Sequence, residues 1–354
     1  MRILTKLPGC ALLGLGLATM LATPARSCTT VCLPSKERAV VAYNYDWYLP
    51  EGLVVVNKRG TRKISSLRPQ AATWVATYGS VTFNQYDRDY PATGINERGL
   101  MVSQMWLDET KHPPADARPE VNGLGWVQYN LDRHGSVAEL LANAEAVRPT
   151  SRSGLQHYLV ADASGDAAVI EFLERKFVVH RGEAMSVRAL TNSTYADSVA
   201  AFKSAKSKGE VPTSSSSLDR FSRAAMLASG GNADLITRGF EIVAAVAQPS
   251  TRWSIVYDLS AREIYFKTDG NPAIRRFALA DFDFSCGTPV RMLDVTAGGA
   301  GDVSTAFVDY SLAANRAVIE AAFTKTPAGR EVPAAARDAI AAHPEKTSSC
   351  AAPN

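Results

Sequence analysis

Cys28 carries the most chemistry in this sequence, because of what stands before it. Arg2 and Lys6 make a short basic start, Cys10 to Ala22 is apolar, and Ala25-Arg26-Ser27 places small residues three and one positions ahead of Cys28. That is the pattern of a secretory leader cut after Ser27. A chain cut there begins with cysteine, so one residue holds both a thiol nucleophile and a free α-amine. The amine can act as base for its own side chain, and processing itself would create the reactive centre. Three other readings stay open at this point: a cut elsewhere, Cys28 as half of a disulfide, and Cys28 as a lipid-anchored residue. The charged Arg26 just ahead is unusual in a lipid-attachment signal.

Other reactive residue types form no competing pattern. His112, His134, His157, His180 and His343 are scattered and lack metal-ligand spacing. A papain-like pair would need one of them at the thiol, with His157 and His180, on predicted strands, as the candidates. No phosphate-binding glycine motif follows a strand, and Gly298-Gly299-Ala300-Gly301 reads as a loop. No cofactor and no metal is expected.

Charge narrows the partners. Arg2, Lys6 and Arg26 account for three of the 38 Lys and Arg, so residues 28–354 carry 35 cations against 35 acids. A formally neutral chain gives no reason to expect a nucleic-acid or anionic-membrane partner. No apolar run after the leader approaches 18 residues, so no membrane span is expected, and the chain reads as a soluble periplasmic or secreted protein. Cys28, Cys32, Cys286 and Cys350 follow the leader. An oxidising compartment permits a disulfide, and Cys286–Cys350 is the pair we expect, although sequence does not fix the pairing.

The elements that must position Cys28 are mostly short strands. Apolar runs at 29–33, 39–43, 53–57, 73–78, 81–85 and 100–107 read as strands, with a tight turn at Asn96-Glu97-Arg98-Gly99. Ser136 and Glu139 form a capping box ahead of a helix that stops before Pro149. Strands follow at 157–163, 167–173, 176–180 and 186–190. The Ser-, Lys- and Gly-rich stretch 203–217 reads as a surface loop, and helices are expected at 218–228 and 233–247. A late hairpin joins 253–259 to 263–267. Residues 305–324 read as one amphipathic helix, and the Ala- and Pro-rich tail 327–354 as flexible. Strands, then helices, then strands again point to layers in a single α+β domain over 28–326, behind a leader at 1–27.

Five stretches now align in order: Cys28-Thr29-Thr30, Tyr43-Asn44-Tyr45-Asp46-Trp47, Asn96-Glu97-Arg98-Gly99-Leu100 leading to Trp106, Thr191-Asn192-Ser193, and Leu218-Asp219-Arg220-Phe221. Together they resemble the choloylglycine hydrolase and penicillin V acylase family over about residues 28 to 300. In trimmed length and in Trp106 the chain looks closer to exported Gram-negative acylases than to cytoplasmic bile salt hydrolases. The resemblance implies a four-layer αββα N-terminal-nucleophile hydrolase that cleaves a linear amide through a Cys28 thioester, without cofactor or metal. It implies that Asp46 holds the Cys28 amine and that the Asn192 side chain donates to the oxyanion. It further implies a backbone donor at Trp106, and an Arg220 that stabilises the thiolate or holds Asp46. Trp47, Tyr48 and Trp106 are candidates for an apolar acyl pocket, with core packing the alternative reading.

One position departs from the pattern. The family has Arg three residues ahead of the motif's Asp; here Tyr43 stands there. A phenol donates a hydrogen bond to sulfur but brings no charge, which shifts thiolate stabilisation toward Arg220 and the ammonium form of the amine. The substrate is expected to be a small acyl amide of the penicillin V or N-acyl-homoserine lactone type, ahead of conjugated bile acids. Three alternatives stay open: an inactive envelope binding protein of the same fold, a lipid-anchored protein, and an acyltransferase using the same thioester. Relatives are often homo-oligomers, and no residue here demands one.

Overall fold

The computed structural model describes residues 27–33, 35, 38–65, 70–151, 154–230 and 234–351. The leader reading falls almost wholly on residues 1–26 and lies outside them.

β-Branched and aromatic residues dominate the strands, and these build two large sheets. In the first, the seven strands run in the order Ala189–Leu190, Thr29–Leu33, Val40–Asp46, Thr251–Asp258, Glu263–Thr268, Arg275–Ala278 and Gly301–Asp302. The second has nine, ordered Lys176–Arg181, Ala167–Leu173, Gln156–Ala161, Met101–Trp106, Pro91–Asn96, Ser80–Asn84, Leu53–Asn57, Arg291–Asp294 and Val308–Asp309. The sheets face each other across one core. Val54, Val81, Phe83, Ile95, Met101 and Met105 of the second sheet pack with Val41, Tyr43, Ile255 and Phe266 of the first. Strand alternation supplies the outer face: Val102 and Val160, one residue out of step, pack under Trp126, Leu131 and Leu140 of the helices Gly123–Arg133 and Val137–Ala142. Helices Tyr195–Lys208, Ser217–Ala228 and Leu235–Ala245 cover the other side of the first sheet. This is the expected αββα order.

Two glycines are required by geometry. At Gly239 of helix Leu235–Ala245, a Cβ would sit 3.0 Å from both methyls of Val256, so the helix lies close on the sheet. Gly99 has φ +84°, and the turn it closes is the one the sequence predicts. There the Asn96 side chain accepts from the N–H groups of Arg98 and Leu100.

Three expectations need correction, and one helix was not expected at all. The stretch 203–217 is not all loop: the helix from Tyr195 runs to Lys208 and ends at Gly209, whose left-handed φ of +67° caps it. The helix at 305–324 begins only at Leu312, capped by Ser311, because Val308–Asp309 is drawn into an edge pairing with Arg291–Asp294. Helix Gly123–Arg133 has no counterpart in the sequence reading, since its glycine-rich first turn and its burial on nearly every side erase the amphipathic signal. The tail is folded. Helices Pro327–Arg330, Ala334–Ala341 and His343–Thr347 lead to Ser349–Cys350, which pairs with strand Thr61–Ile64.

Local bonds hold that tail. The Asn315 side chain donates to Asp87 and to the Ala341 carbonyl and accepts from the Arg88 N–H. His343 Nε2 donates to the Ile64 carbonyl at 2.9 Å. Cys286 and Cys350, 64 residues apart, form the expected disulfide. Closing a loop of that length restricts the unfolded chain by about 4 kcal/mol in the chain-entropy account. The double variant Cys286→Ser/Cys350→Ser is therefore expected to melt several degrees below the parent. Equal midpoints under oxidising conditions would contradict this.

Candidate active site

Cys28 stands one residue ahead of strand Thr29–Leu33, between the two sheets and 3% exposed. The register places Thr29 opposite Asn44 and Thr30 opposite Tyr43 on the next strand, so Tyr43 and Asp46 lie beside Cys28. The Tyr43 hydroxyl is 3.7 Å from Cys28 Sγ and 3.2 Å from the Gln104 carbonyl. Burial raises its pKa well above the usual phenol value, so Tyr43 remains a donor.

The thiol is strongly disfavoured as a thiolate. Burial, and then the charge of Asp46, push it up to about 12, against the pull of the Asp46 N–H, the Tyr43 hydroxyl and, weakest, Arg220. At Asp46, burial pushes the carboxyl up to about 7 despite the Thr251 hydrogen bond and the charges of Arg220 and Arg252. One of its oxygens accepts from Thr251 Oγ1 at 2.5 Å; the other is buried with no hydrogen-bond partner among the described residues.

Arg220, in the helix Ser217–Ala228, joins the parts. Its Nη1 donates to the Ser27 carbonyl at 3.2 Å, the Cys28 carbonyl at 2.9 Å and Thr29 Oγ1 at 2.7 Å. Its Nη2 donates to Asn192 Oδ1 at 3.0 Å. That bond fixes which way the Asn192 amide faces. Nδ2 then points the other way, and one of its two N–H groups reaches the Trp106 carbonyl at 2.9 Å. Ser217 Oγ accepts from the Asn192 N–H at 2.8 Å.

A pocket opens over Cys28. Its wall holds Tyr45, Trp47, Gln85, Tyr86, Tyr90, Ala92, Gln104, Trp106, Leu124 and Gln156, none of them charged. Trp47 Nε1 donates to the Tyr86 hydroxyl at 2.5 Å, and the Trp47 and Trp106 rings lie 6.4 Å apart. Tyr48 is not in this wall; it packs edge-on against Trp47. The structure thus gathers Cys28, Tyr43, Asp46, Asn192, Arg220, Trp47 and Trp106 and leaves Tyr48 at the margin. Sequence reasoning missed the three glutamines, Tyr86 and Thr251, which carry no motif of their own. It also missed Phe323, whose ring backs Tyr86 at 6.0 Å from the tail-side helix Leu312–Thr324. No histidine is hydrogen-bonded to Cys28 among the described residues.

The family described as linear amide C–N hydrolases, choloylglycine hydrolase family, matches residues 28–292. The chain belongs to this family. It is 27% identical over 262 residues to the penicillin V acylase of Pectobacterium atrosepticum, covering 60% of this chain and 69% of that protein. The penicillin V acylase of Agrobacterium tumefaciens superposes with a TM-score of 0.72 at 25% identity, over 80% of this chain and 98% of that one. A mutant of the conjugated bile acid hydrolase from Clostridium perfringens shares the fold, with a TM-score of 0.66 at 17% identity over 77% and 98% of the two chains. The protein is an amide-cleaving hydrolase of the N-terminal-nucleophile fold, whose family acts on small-molecule amides. Among the described residues no helix is long and apolar enough to cross a membrane.

The Asp46 carboxyl has a testable electrostatic consequence. Its ordinary value of 3.8 rises to about 7 in the folded chain that keeps the Ser27–Cys28 bond. The folded state then holds the proton more tightly than the unfolded state. The stability so gained is full below the unfolded value and is lost as pH rises through the folded one. Asp46→Asn has no such proton to lose, so its denaturation midpoint is expected to gain on the parent's across that window. A difference that does not change with pH would contradict the raised carboxyl.

Proposed function

We propose that this protein is an exported cysteine acylase whose nucleophile and base both reside on Cys28 once the chain is cut after Ser27. The observation that carries the reading is the Arg220 fork, which gathers the Cys28 carbonyl, the Thr29 hydroxyl and the Asn192 amide around one buried thiol. A thiol held near 12 supplies almost no thiolate at neutral pH, so a base must take its proton as it attacks. Among the described residues no histidine is bonded to the sulfur to do so. An α-amine, with an ordinary pKa of about 7.7–8.0, is matched to the task.

Asp46 fits the partner role. Its buried, unpartnered oxygen suits an ammonium donor, and its charge already acts on Cys28. In this mechanism the Cys28 sulfur attacks the amide carbonyl, and the second Asn192 N–H stabilises the oxyanion, together with the backbone N–H of Trp106. The amine then passes the proton to the leaving nitrogen, and water releases the acid from the thioester. The disulfide supports an oxidising compartment.

The pocket supports an uncharged aromatic or fatty acyl group, as in penicillin V or an N-acyl-homoserine lactone. Its volume of ≈ 80 Å³ is about half that of a 150 Å³ cavity able to hold benzene. One ring or chain seated partly in the open mouth suits that size better than a steroid nucleus.

A chain beginning at Cys28 is expected to hydrolyse phenoxyacetyl or N-acyl-homoserine lactone amides, and Cys28→Ala to be inactive. A chain that keeps one residue ahead of Cys28 should also be inactive. Full turnover by that extended chain would remove the amine from the mechanism. Because Tyr43 places no cation against the sulfur, the acid limb of kcat/KM is expected at higher pH than in a relative with Arg there. Coincident limbs would overturn that assignment.

A further inference from the structure

Behind the site lies a buried polar network that none of the steps above uses. His157, on strand Gln156–Ala161, is 0% exposed, as is Glu171 on the neighbouring strand Ala167–Leu173. His157 Nδ1 is 3.2 Å from Glu171 Oε1, and its Nε2 is 2.7 Å from the Thr191 carbonyl. Glu171 also accepts from His180 Nε2 at 3.2 Å and from the Tyr195 N–H at 2.9 Å. Thr191 is the residue before Asn192.

The protonation follows from the partners. A carbonyl oxygen only accepts, so Nε2 of His157 must carry a hydrogen. An ionised carboxylate also only accepts, and then Nδ1 must carry one too. Burial alone would raise Glu171, but the hydrogen bonds from His157 and His180 reverse that and bring it down to about 2. Both ring nitrogens of His157 thus face acceptors, the arrangement in which an imidazolium would use both of its donors. The titratable groups facing it from the elements packed on it are Glu171, His180 through Glu171, and Tyr195 through its N–H on the same carboxylate. Met105, opposite it on strand Met101–Trp106, is neutral.

We propose that His157, held as an imidazolium by Glu171, is a positioning residue that fixes the Thr191–Asn192 backbone and so aims the Asn192 amide at the reacting carbonyl. This rests on the reading of Asn192 as an oxyanion donor. The turn is held on both sides. Thr191 accepts a charge-assisted hydrogen bond from His157, and Ser217 Oγ takes the Asn192 N–H. The side chain is held separately by Arg220 and Trp106. Loss of the ring's charge weakens the grip on the backbone while leaving Cys28, Tyr43, Asp46 and Arg220 in place.

Two measurements test this. The first is the ¹⁵N spectrum of His157 in the Cys28→Ala protein at pH of about 8, where an ordinary histidine near 6.5 is neutral. Protons on both ring nitrogens are expected, and a neutral ring overturns the proposal. The second is Glu171→Gln, which keeps the shape and removes the charge. It is expected to lower kcat roughly ten- to a hundred-fold, the cost of a misplaced catalytic group, with KM and the rate of Cys28 alkylation by iodoacetamide unchanged. An unchanged kcat, or alkylation falling in parallel, overturns the positioning role. If Glu171→Gln does not fold, the spectrum decides alone. Asn192→Ala with unimpaired turnover would instead overturn the oxyanion reading and leave the imidazolium assignment standing.

Discussion

One buried guanidinium organises the surroundings of Cys28. Arg220 is 1% exposed, and its donors serve three carbonyls, Thr29 and the Asn192 amide. A cation in such a place is tolerable only when its hydrogens are used, so the chain must bring those acceptors to it. The requirement ties the start of the first strand, the turn at Asn192 and the helix Ser217–Ala228 into one arrangement. Losing the guanidinium would leave these acceptors without a donor and the Asn192 amide free to turn over.

The facing sheets supply the rest of the accuracy. Tyr43 lies between Cys28 and the Gln104 carbonyl, spanning the gap from the first sheet to the second. Thr30, directly opposite Tyr43 on the adjacent strand, does the same, meeting Ser103 Oγ at 3.0 Å. In a strand a slip of one residue turns every side chain to the opposite face, so these cross-sheet contacts exist in one register only. Thr251, on the strand beyond Val40–Asp46, bonds Asp46 from the far side. Cys28 is therefore positioned by backbone pairing on one flank and by side chains on the others.

Much of this was legible in the sequence, for reasons that differ by residue. Cys28, Asp46, Asn192 and Arg220 stand in short ordered motifs, and the structure places them together. Strands 53–57 and 167–173 were readable to the residue because β-branched runs end at polar turns. Helix Gly123–Arg133 was not, since it is buried on nearly every side and starts on glycine. The pocket's Gln85, Tyr86, Gln104 and Gln156 come from three separate strand regions, and nothing local marks a residue whose role depends on a distant neighbour. The tail misled because its Ala-rich composition lacks large apolar residues. Its order comes instead from a disulfide, from Asn315 and from the backing that Phe323 gives Tyr86.

The place of the first strand in its sheet has a consequence in time. Thr29–Leu33 is an interior strand, flanked by Ala189–Leu190 and by Val40–Asp46, and the latter pairs in turn with Thr251–Asp258. Contacts so distant along the chain close late in folding, because the long intervening loops must be ordered first. Asn192, Arg220 and Thr251 are all made after the thiol they serve. A nascent chain therefore carries Cys28 for most of synthesis without these neighbours, and the cluster around it closes only with the last third of the molecule.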